Sequence, residues 1–296
     1  MKILLTGASG NLGQDIVRVF GVAGHDVLQT DRDTLDITDV DAIAKRIDDE
    51  KPDFVINTAA YNFVDKVEAP DIYPIAYAIN ALGPKNLAEA CAVRGIPFVH
   101  YSTDYVFQGD KEEGYTEEDV PNPISKYGAT KAAGERFVID AGGKYFLCRL
   151  SKIFGQPGIS EGTKPSFVAL MLKLAKEKPS LQIVDEEVGM PSYTRDIAEA
   201  TLSLLVTPTP YNLPPTTYPS GIYHIVNEGI GVTWYAFAEE IFHIAGVTTP
   251  RTPVSSSAFP RAASAPKFAM LRNTKLPKLR PRIDALREFL KVTSNE

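Results

Sequence analysis

Short apolar runs alternate with longer amphipathic stretches through the first half of the chain, the pattern of a parallel sheet covered by helices on both faces. The runs predict strands over residues 2–6, 26–30, 53–57, 96–102 and 145–149. The amphipathic stretches predict helices near 11–23, 39–50, 83–94 and 126–140, each long enough to cross over right-handedly between parallel strands. The expected fold class is α/β, a doubly wound parallel sheet.

Beyond Arg149 the regularity breaks in a loop carrying Gly155, Pro157, Gly158, Gly162 and Pro165, followed by a helix near 166–177. A strand near 181–184 and a helix near 195–206 can still belong to the main sheet. Thr207–Pro219, rich in Pro and Tyr, reads as a surface linker. The tail predicts a strand at 222–226, a helix at 233–245, a Ser/Pro-rich loop over 248–266 and a last helix near 283–291. This divides the chain into a first domain over 1–150, which also takes in about 185–206, and a smaller interleaved C-terminal α/β region over 151–184 and 207–296.

Composition excludes several classes. In 296 residues, 44% hydrophobic and 23% charged, there is enough apolar material for a large core and no sign of disorder. A net charge of -6 with scattered Lys and Arg argues against a nucleic-acid groove or an anionic membrane surface. No apolar run approaches the roughly 18 residues that span a bilayer, so no membrane association is expected. Cys91 and Cys148 are the only cysteines and lack metal-site or disulfide-framework spacing. No metal site is predicted, and a reducing, cytoplasmic setting is the default.

The candidate chemistry begins at Thr6-Gly7-Ala8-Ser9-Gly10-Asn11-Leu12-Gly13, which follows the first strand and opens the first helix. Glycine there lets a ligand approach the backbone, and the helix start offers unpaired N–H groups and a positive dipole end to a pyrophosphate. Gly7, Ser9, Gly10, Asn11, Leu12 and Gly13 are therefore candidate cofactor-binding residues in a Rossmann-type domain. Asp31, at the end of the second strand, stands where an acid bonds the ribose hydroxyls of NAD, and Arg32 beside it suits a 2′-phosphate. Both NADPH and NADH stay open. By position alone, Asp36 and Ile37 flank the adenine, and Ala59, Ala60 and Tyr61 close the end of the third strand.

Tyr127 and Lys131 lie four residues apart, on one helical face. A neighbouring ammonium lowers the pKa of a phenol, which suits Tyr127 to donate a proton to a carbonyl oxygen while Lys131 also grips the nicotinamide ribose. Thr103, at the end of the fourth predicted strand, is placed to hydrogen-bond the same oxygen. Thr103, Tyr127 and Lys131 are the candidate catalytic set. His25, His100, His224 and His243 are dispersed and read as structural, and Trp234 reads as a packing residue at a helix start.

These motifs resemble the extended short-chain dehydrogenase/reductase family, nearly end to end. The more specific matches are Ala59-Ala60-Tyr61 leading to Val64-Asp65-Lys66-Val67-Glu68, the segment Tyr101-Ser102-Thr103-Asp104-Tyr105-Val106-Phe107, and Gly221-Ile222-Tyr223-His224 followed by Thr233-Trp234-Tyr235. The resemblance implies reduction of the C4 ketone of a dTDP-linked deoxysugar, dTDP-4-dehydro-L-rhamnose to dTDP-L-rhamnose, by a monomer or homodimer. It implies that Tyr101 touches the cofactor and that Thr103 and Asp104 face the sugar. Lys152 stands where the family places a tryptophan against the sugar. Ala265-Pro266-Lys267-Phe268-Ala269 replaces an Arg-Pro-x-x-Ser segment, which leaves Lys267 or Arg261 to meet the diphosphate. Some members share a magnesium ion through acidic residues; Arg195 occupies one such position, so no metal is carried over. Tyr105, where related dehydratases carry Glu, favours reduction over dehydration or epimerisation. Two readings stay open beside it: reduction of another nucleotide-linked keto-sugar or of an imine, and a non-catalytic cofactor-binding subunit like the regulatory β subunit of methionine adenosyltransferase.

Overall fold

The structure, a computed structural model, describes residues 1–159, 165–206 and 218–294; Gly162 and residues 207–217 of the expected linker lie outside them. In chain order the elements are β1 (Lys2–Thr6), α1 (Asn11–Val22), β2 (Asp26–Thr30), α2 (Val40–Glu50), β3 (Phe54–Asn57), α3 (Tyr73–Tyr77), α4 (Gly83–Ala92), β4 (Phe98–Thr103), α5 (Lys126–Asp140) and β5 (Tyr145–Leu150). They continue with β6 (Ile153–Phe154), α6 (Phe167–Glu177), β7 (Leu181–Val184), β8 (Ser192–Tyr193), α7 (Thr194–Leu205), β9 (Gly221–His224), α8 (Trp234–Ala245), β10 (Arg251–Val254) and α9 (Arg282–Ser294).

Among the described residues the main sheet has the order β2-β1-β3-β4-β5-β9, all parallel. The strand order reverses beside β1, and the glycine turn leaves the carboxyl end of that strand, where open α/β sheets bind ligands. Side chains alternate between two apolar layers. Ile3, Leu5, Val99, Tyr101 and Cys148 pack under α1 and α7, while Leu4, Val55, Phe98 and Leu147 pack under α2, α4 and α5. Both faces are covered, so the strands read as continuous apolar runs.

One point of membership left open is decided, and one expectation changes. The strand at 181–184 does not join the main sheet: β7 pairs with β10 in a small sheet of its own. Its alternation explains this, because Leu181 and Ile183 turn into a separate aromatic-rich core with Phe154, Phe237, Phe242 and Phe289, while Gln182 is exposed. That pairing also puts β10 inside the stretch expected as the 248–266 loop. Conversely, β9, expected in the smaller region, forms the edge of the main sheet, with Arg149 in register with His224. Tyr223 and His224 are both buried, which suits a covered strand. The helix near 195–206 does cover the main sheet, since Ile197, Ala198, Leu204 and Leu205 of α7 pack with Leu12, Ile16 and Phe20 of α1. Thr194 donates to the buried Asp15 carboxylate at 2.5 Å, which ties the start of α7 to α1.

Helix α5 carries the chemistry and is held firmly. Ser125 caps it by accepting from Gly128 N–H at 3.1 Å. Glu135 accepts from Nε and Nη2 along one edge of the Arg149 guanidinium of β5, at 3.0 and 2.8 Å, with both side chains fully buried. Gly128 has no room for a Cβ, which would overlap the Tyr105 carbonyl; this closeness sets the first turn of α5 against the end of β4.

Candidate active site

A cleft of about 280 Å³ opens at the carboxyl edge of the sheet, lined by Asn11, Leu12 and Gly13 on one side and by Thr103, Tyr127, Lys131 and Lys152 on the other. The glycine turn is narrow. Gly7 has a φ of 74°, in the left-handed region, and a Cβ there would sit 2.5 Å from Ala59 N. A Cβ on Gly13 would overlap the Gly7 carbonyl. α1 starts without a side-chain cap, so its first N–H groups are left for a ligand. Asn11 Oδ1 and Ser102 Oγ are buried without a hydrogen-bond partner, and both residues line the cleft. Unpaired helix donors, unsatisfied polar atoms and glycines that admit no side chain fit a dinucleotide.

The other expected cofactor residues divide. Ala60 lines the cleft, and Ala59 backs the turn. Tyr61 packs beside Tyr127, its N–H donating to Asn80 Oδ1 at 2.8 Å. Asp31 is turned onto the glycine turn, accepting from Ser9 Oγ at 2.8 Å and from Ser9 N at 3.2 Å, and Arg32 is exposed beside it. Asp36 and Ile37 stand outside the cleft. Asp36 accepts from the N–H and hydroxyl of Thr38 at 2.8 and 2.7 Å, and Ile37 is buried against Gly83. Tyr101 reaches the cleft by its backbone, because its phenol turns into the core and hydrogen-bonds Thr201 at 2.7 Å.

Lys131 donates to the Tyr101 carbonyl at 2.7 Å and is fully buried; burial pushes its ammonium down to about 8, against the charge of Glu135. Tyr127 donates to Asn62 Oδ1 at 3.3 Å. Its phenol does not show the expected drop. Burial and then the charge of Asp104 hold it above the ordinary value, with the Thr103 hydroxyl working the other way. Thr103 donates to Asp104 Oδ1 at 3.0 Å, and Ser151 donates to Asp104 Oδ2 at 2.6 Å. Burial raises the pKa of Asp104.

A second, smaller cavity of about 160 Å³ adjoins the first, lined by Asp104, Tyr105, Glu187, Trp234, Pro266 and Ala269 among others. Among the described residues three line both cavities: Thr103, Tyr127 and Lys152. Lys152 donates to the Glu187 carbonyl at 2.6 Å, and its ammonium lies 3.8 Å from the centre of the Trp234 ring. Trp234 donates through Nε1 to Glu187 Oε2 at 3.0 Å, and Arg261 also pairs with the Glu187 carboxylate. Trp234 therefore packs, as expected, but also lines a cavity. Lys267 lies over the Phe268 ring instead of lining either cavity.

Asn62 and Glu187 were not singled out from the sequence. Asn62 follows Ala59-Ala60-Tyr61 directly, so its position past the end of β3 was a usable signal; nothing local marks Glu187. A larger cavity, about 730 Å³, lies between the 226–231 loop and residues 268–273 and shares no residue with the glycine turn or Tyr127. His100 and His224 are buried in the interior, and among the described residues no cluster of His, Cys, Asp and Glu could hold a metal. No helix among them is long and apolar enough to cross a membrane.

A glycine turn at the switch of a parallel sheet, with a Tyr and a Lys on one helix at its carboxyl edge, is the arrangement of nicotinamide-dependent oxidoreductases of the doubly wound class. The chain belongs to the family described as RmlD substrate binding domain, whose model matches residues 1–294. It is 36% identical over 273 residues to a dTDP-4-dehydrorhamnose reductase of Streptomyces griseus, covering 90% of this chain and 84% of that protein. A crystal structure of a dTDP-4-dehydrorhamnose reductase from Clostridium acetobutylicum superposes with a TM-score of 0.88 at 38% identity, covering 99% of this chain and 100% of that one. A Bacillus anthracis dTDP-4-dehydrorhamnose reductase in complex with NADP superposes with a TM-score of 0.87 at 33% identity, covering 98% and 99%.

Proposed function

We propose that this chain reduces the keto group of a dTDP-linked deoxysugar with NADPH or NADH, and that its substrate is dTDP-4-dehydro-L-rhamnose. The observation that carries this reading is the position of Tyr127 and Thr103, which line both the cleft beside the glycine turn and the adjoining cavity. A sugar in the second cavity would present its carbonyl to these two hydroxyls, with the first cavity left to hold the reduced nicotinamide. The reading agrees with the names of the relatives over nearly their full length.

Asn11, Leu12 and Gly13, whose N–H groups open α1, would hold the pyrophosphate, Ser9 and Gly10 would shape the turn around it with their own N–H groups spent on Asp31 and Gly7, and Asp31 and Arg32 would meet the adenosine ribose. When bound, the reduced nicotinamide supplies the hydride. Tyr127 holds a proton at Oη and releases it to the keto oxygen as charge develops there. A phenol that burial keeps protonated is suited to give a proton to an alkoxide, which is far more basic. Thr103 turns its O–H from Asp104 onto the same oxygen, while the Tyr105 N–H, which donates to Thr103 Oγ at 3.2 Å, keeps the hydroxyl oxygen in place. Lys131, anchored on the Tyr101 carbonyl in the same cleft, would reach the nicotinamide ribose. Tyr105 supplies no carboxylate for eliminating water, which favours reduction over dehydration.

The test is nicotinamide absorbance with dTDP-4-dehydro-L-rhamnose supplied and omitted, using NADPH and NADH in turn. Substrate-dependent oxidation supports the reading. Tight cofactor binding without turnover of any nucleotide-linked keto-sugar contradicts it.

A further inference from the structure

We propose that Lys152 is a specificity-determining residue of the reduction proposed above, donating a hydrogen bond from its ammonium to the hydroxyl on the sugar carbon beside the keto carbon. The proposal rests on that reading of the site and extends it to the substituents the sugar must carry. Thr103, Tyr127 and Lys152 are, among the described residues, the three shared by the two cavities, so a carbon held between Thr103 and Tyr127 would have Lys152 as a neighbour. Tyr127 and Thr103 already serve the keto oxygen.

The ammonium is fixed and has a donor to spare. One N–H goes to the Glu187 carbonyl at 2.6 Å, and the cation rests 3.8 Å from the Trp234 ring centre. An ammonium has three donors and no acceptor. The Glu187 carboxylate is occupied by Trp234 and Arg261, and what Lys152 takes from that residue is its backbone oxygen. The remaining donor suits an acceptor oxygen entering from the cavities.

The backbone supports this use. Lys152 has a φ of 44°, in the left-handed region that side chains other than glycine seldom adopt, and strain of this kind gathers at functional sites. Its stem lies against Gly189, where a Cβ would overlap Cδ and Cε. Burial pushes the ammonium down to about 7, with Asp104 and Glu187 opposing and Arg261 adding to the fall, so a substrate oxygen would restore solvation the lysine has lost. In a 4-keto-6-deoxy sugar, C4 is flanked by C5, which bears the methyl group, and by C3, which bears a hydroxyl. The C3 hydroxyl is the acceptor within reach of a group that already borders the keto carbon.

The experiment compares dTDP-4-dehydro-L-rhamnose with its 3-deoxy analogue, using the unaltered chain, Lys152→Met and Lys152→Arg, with kcat and KM read separately and NADPH binding followed by fluorescence. A charge-assisted hydrogen bond predicts that the unaltered chain prefers the hydroxylated sugar by about 10- to 100-fold in kcat/KM. Lys152→Met should shrink that preference to about 3-fold or less with NADPH binding unchanged, and Lys152→Arg should keep most of it. The inference is overturned if Lys152→Met retains the preference, or if it loses both sugars equally, as a lysine that grips the diphosphate or only packs would do. Loss of the preference in Lys152→Arg, should Lys152→Met fail to fold, also overturns it. If the unaltered chain oxidises NADPH with neither sugar, the underlying reading fails instead.

Discussion

Lys131 donates to the carbonyl oxygen of Tyr101 at 2.7 Å, so the ammonium expected beside the Tyr127 phenol is pinned to the backbone of β4. That bond aims Lys131 into the cleft, and burial of the ammonium, opposed by the charge of Glu135, lowers its pKa to about 8. Lys131→Met removes the cation while keeping the stem. We expect NADPH affinity to fall about 10-fold, because the cation that would grip the nicotinamide ribose is lost. Fluorescence titration alongside steady-state rates checks this, and unchanged affinity would contradict it.

The glycine turn gives a second test. A Cβ at position 13 would overlap the Gly7 carbonyl and sit 2.7 Å from the Ala8 carbonyl, so Gly13→Ala has to open the turn. The expected outcome is at least a 10-fold loss of NADPH affinity with the fold retained by circular dichroism. Affinity equal to the unaltered chain would mean that the turn does not hold the cofactor.

The Arg149–Glu135 pair joins β5 to the helix bearing Tyr127 and Lys131, and both members are fully buried. Removing one partner leaves the other charge buried alone, at a cost of about 3–5 kcal/mol. Glu135→Gln should lower the stability to urea by that order. The double variant Glu135→Leu/Arg149→Met should lie closer to the unaltered chain, and equal losses in both would contradict this account of the pair.

Lys152 makes stability depend on pH. Its folded pKa of about 7 lies below the value of about 10.4 of an unfolded chain, so between those limits the unfolded state binds more protons. Stability from this group therefore rises with pH from about 7 and levels off near 10, approaching one proton in slope. Urea unfolding at pH 7, 8 and 9 should show a flatter rise for Lys152→Met than for the unaltered chain. Parallel curves would contradict the low folded value.

The order of strands and helices was legible because apolar runs and amphipathic stretches are local signals. Which sheet a strand joins was not: β7 and β9 both read as strands, and only packing against α6 and α8, or beside Arg149, separates them. Tyr127, Lys131 and Thr103 were legible because helix spacing and strand ends place them. Asn62 was missed because a loop amide has no periodicity, and the cavity face of Trp234 depends on Lys152 and Glu187, far away in sequence. Asp31 was expected to await a ribose; its carboxylate bonds Ser9 because the turn and the end of β2 lie side by side.

The central claim is that Tyr127 delivers the proton in a nicotinamide-dependent reduction, and the most direct test is Tyr127→Phe assayed with dTDP-4-dehydro-L-rhamnose and NADPH. The ring and its packing against Tyr105 stay, and only the hydroxyl is lost. The account predicts that kcat falls by at least about 100-fold, the scale of general acid catalysis, with NADPH affinity within about 3-fold of the unaltered chain. Turnover that survives the loss of the hydroxyl would contradict it.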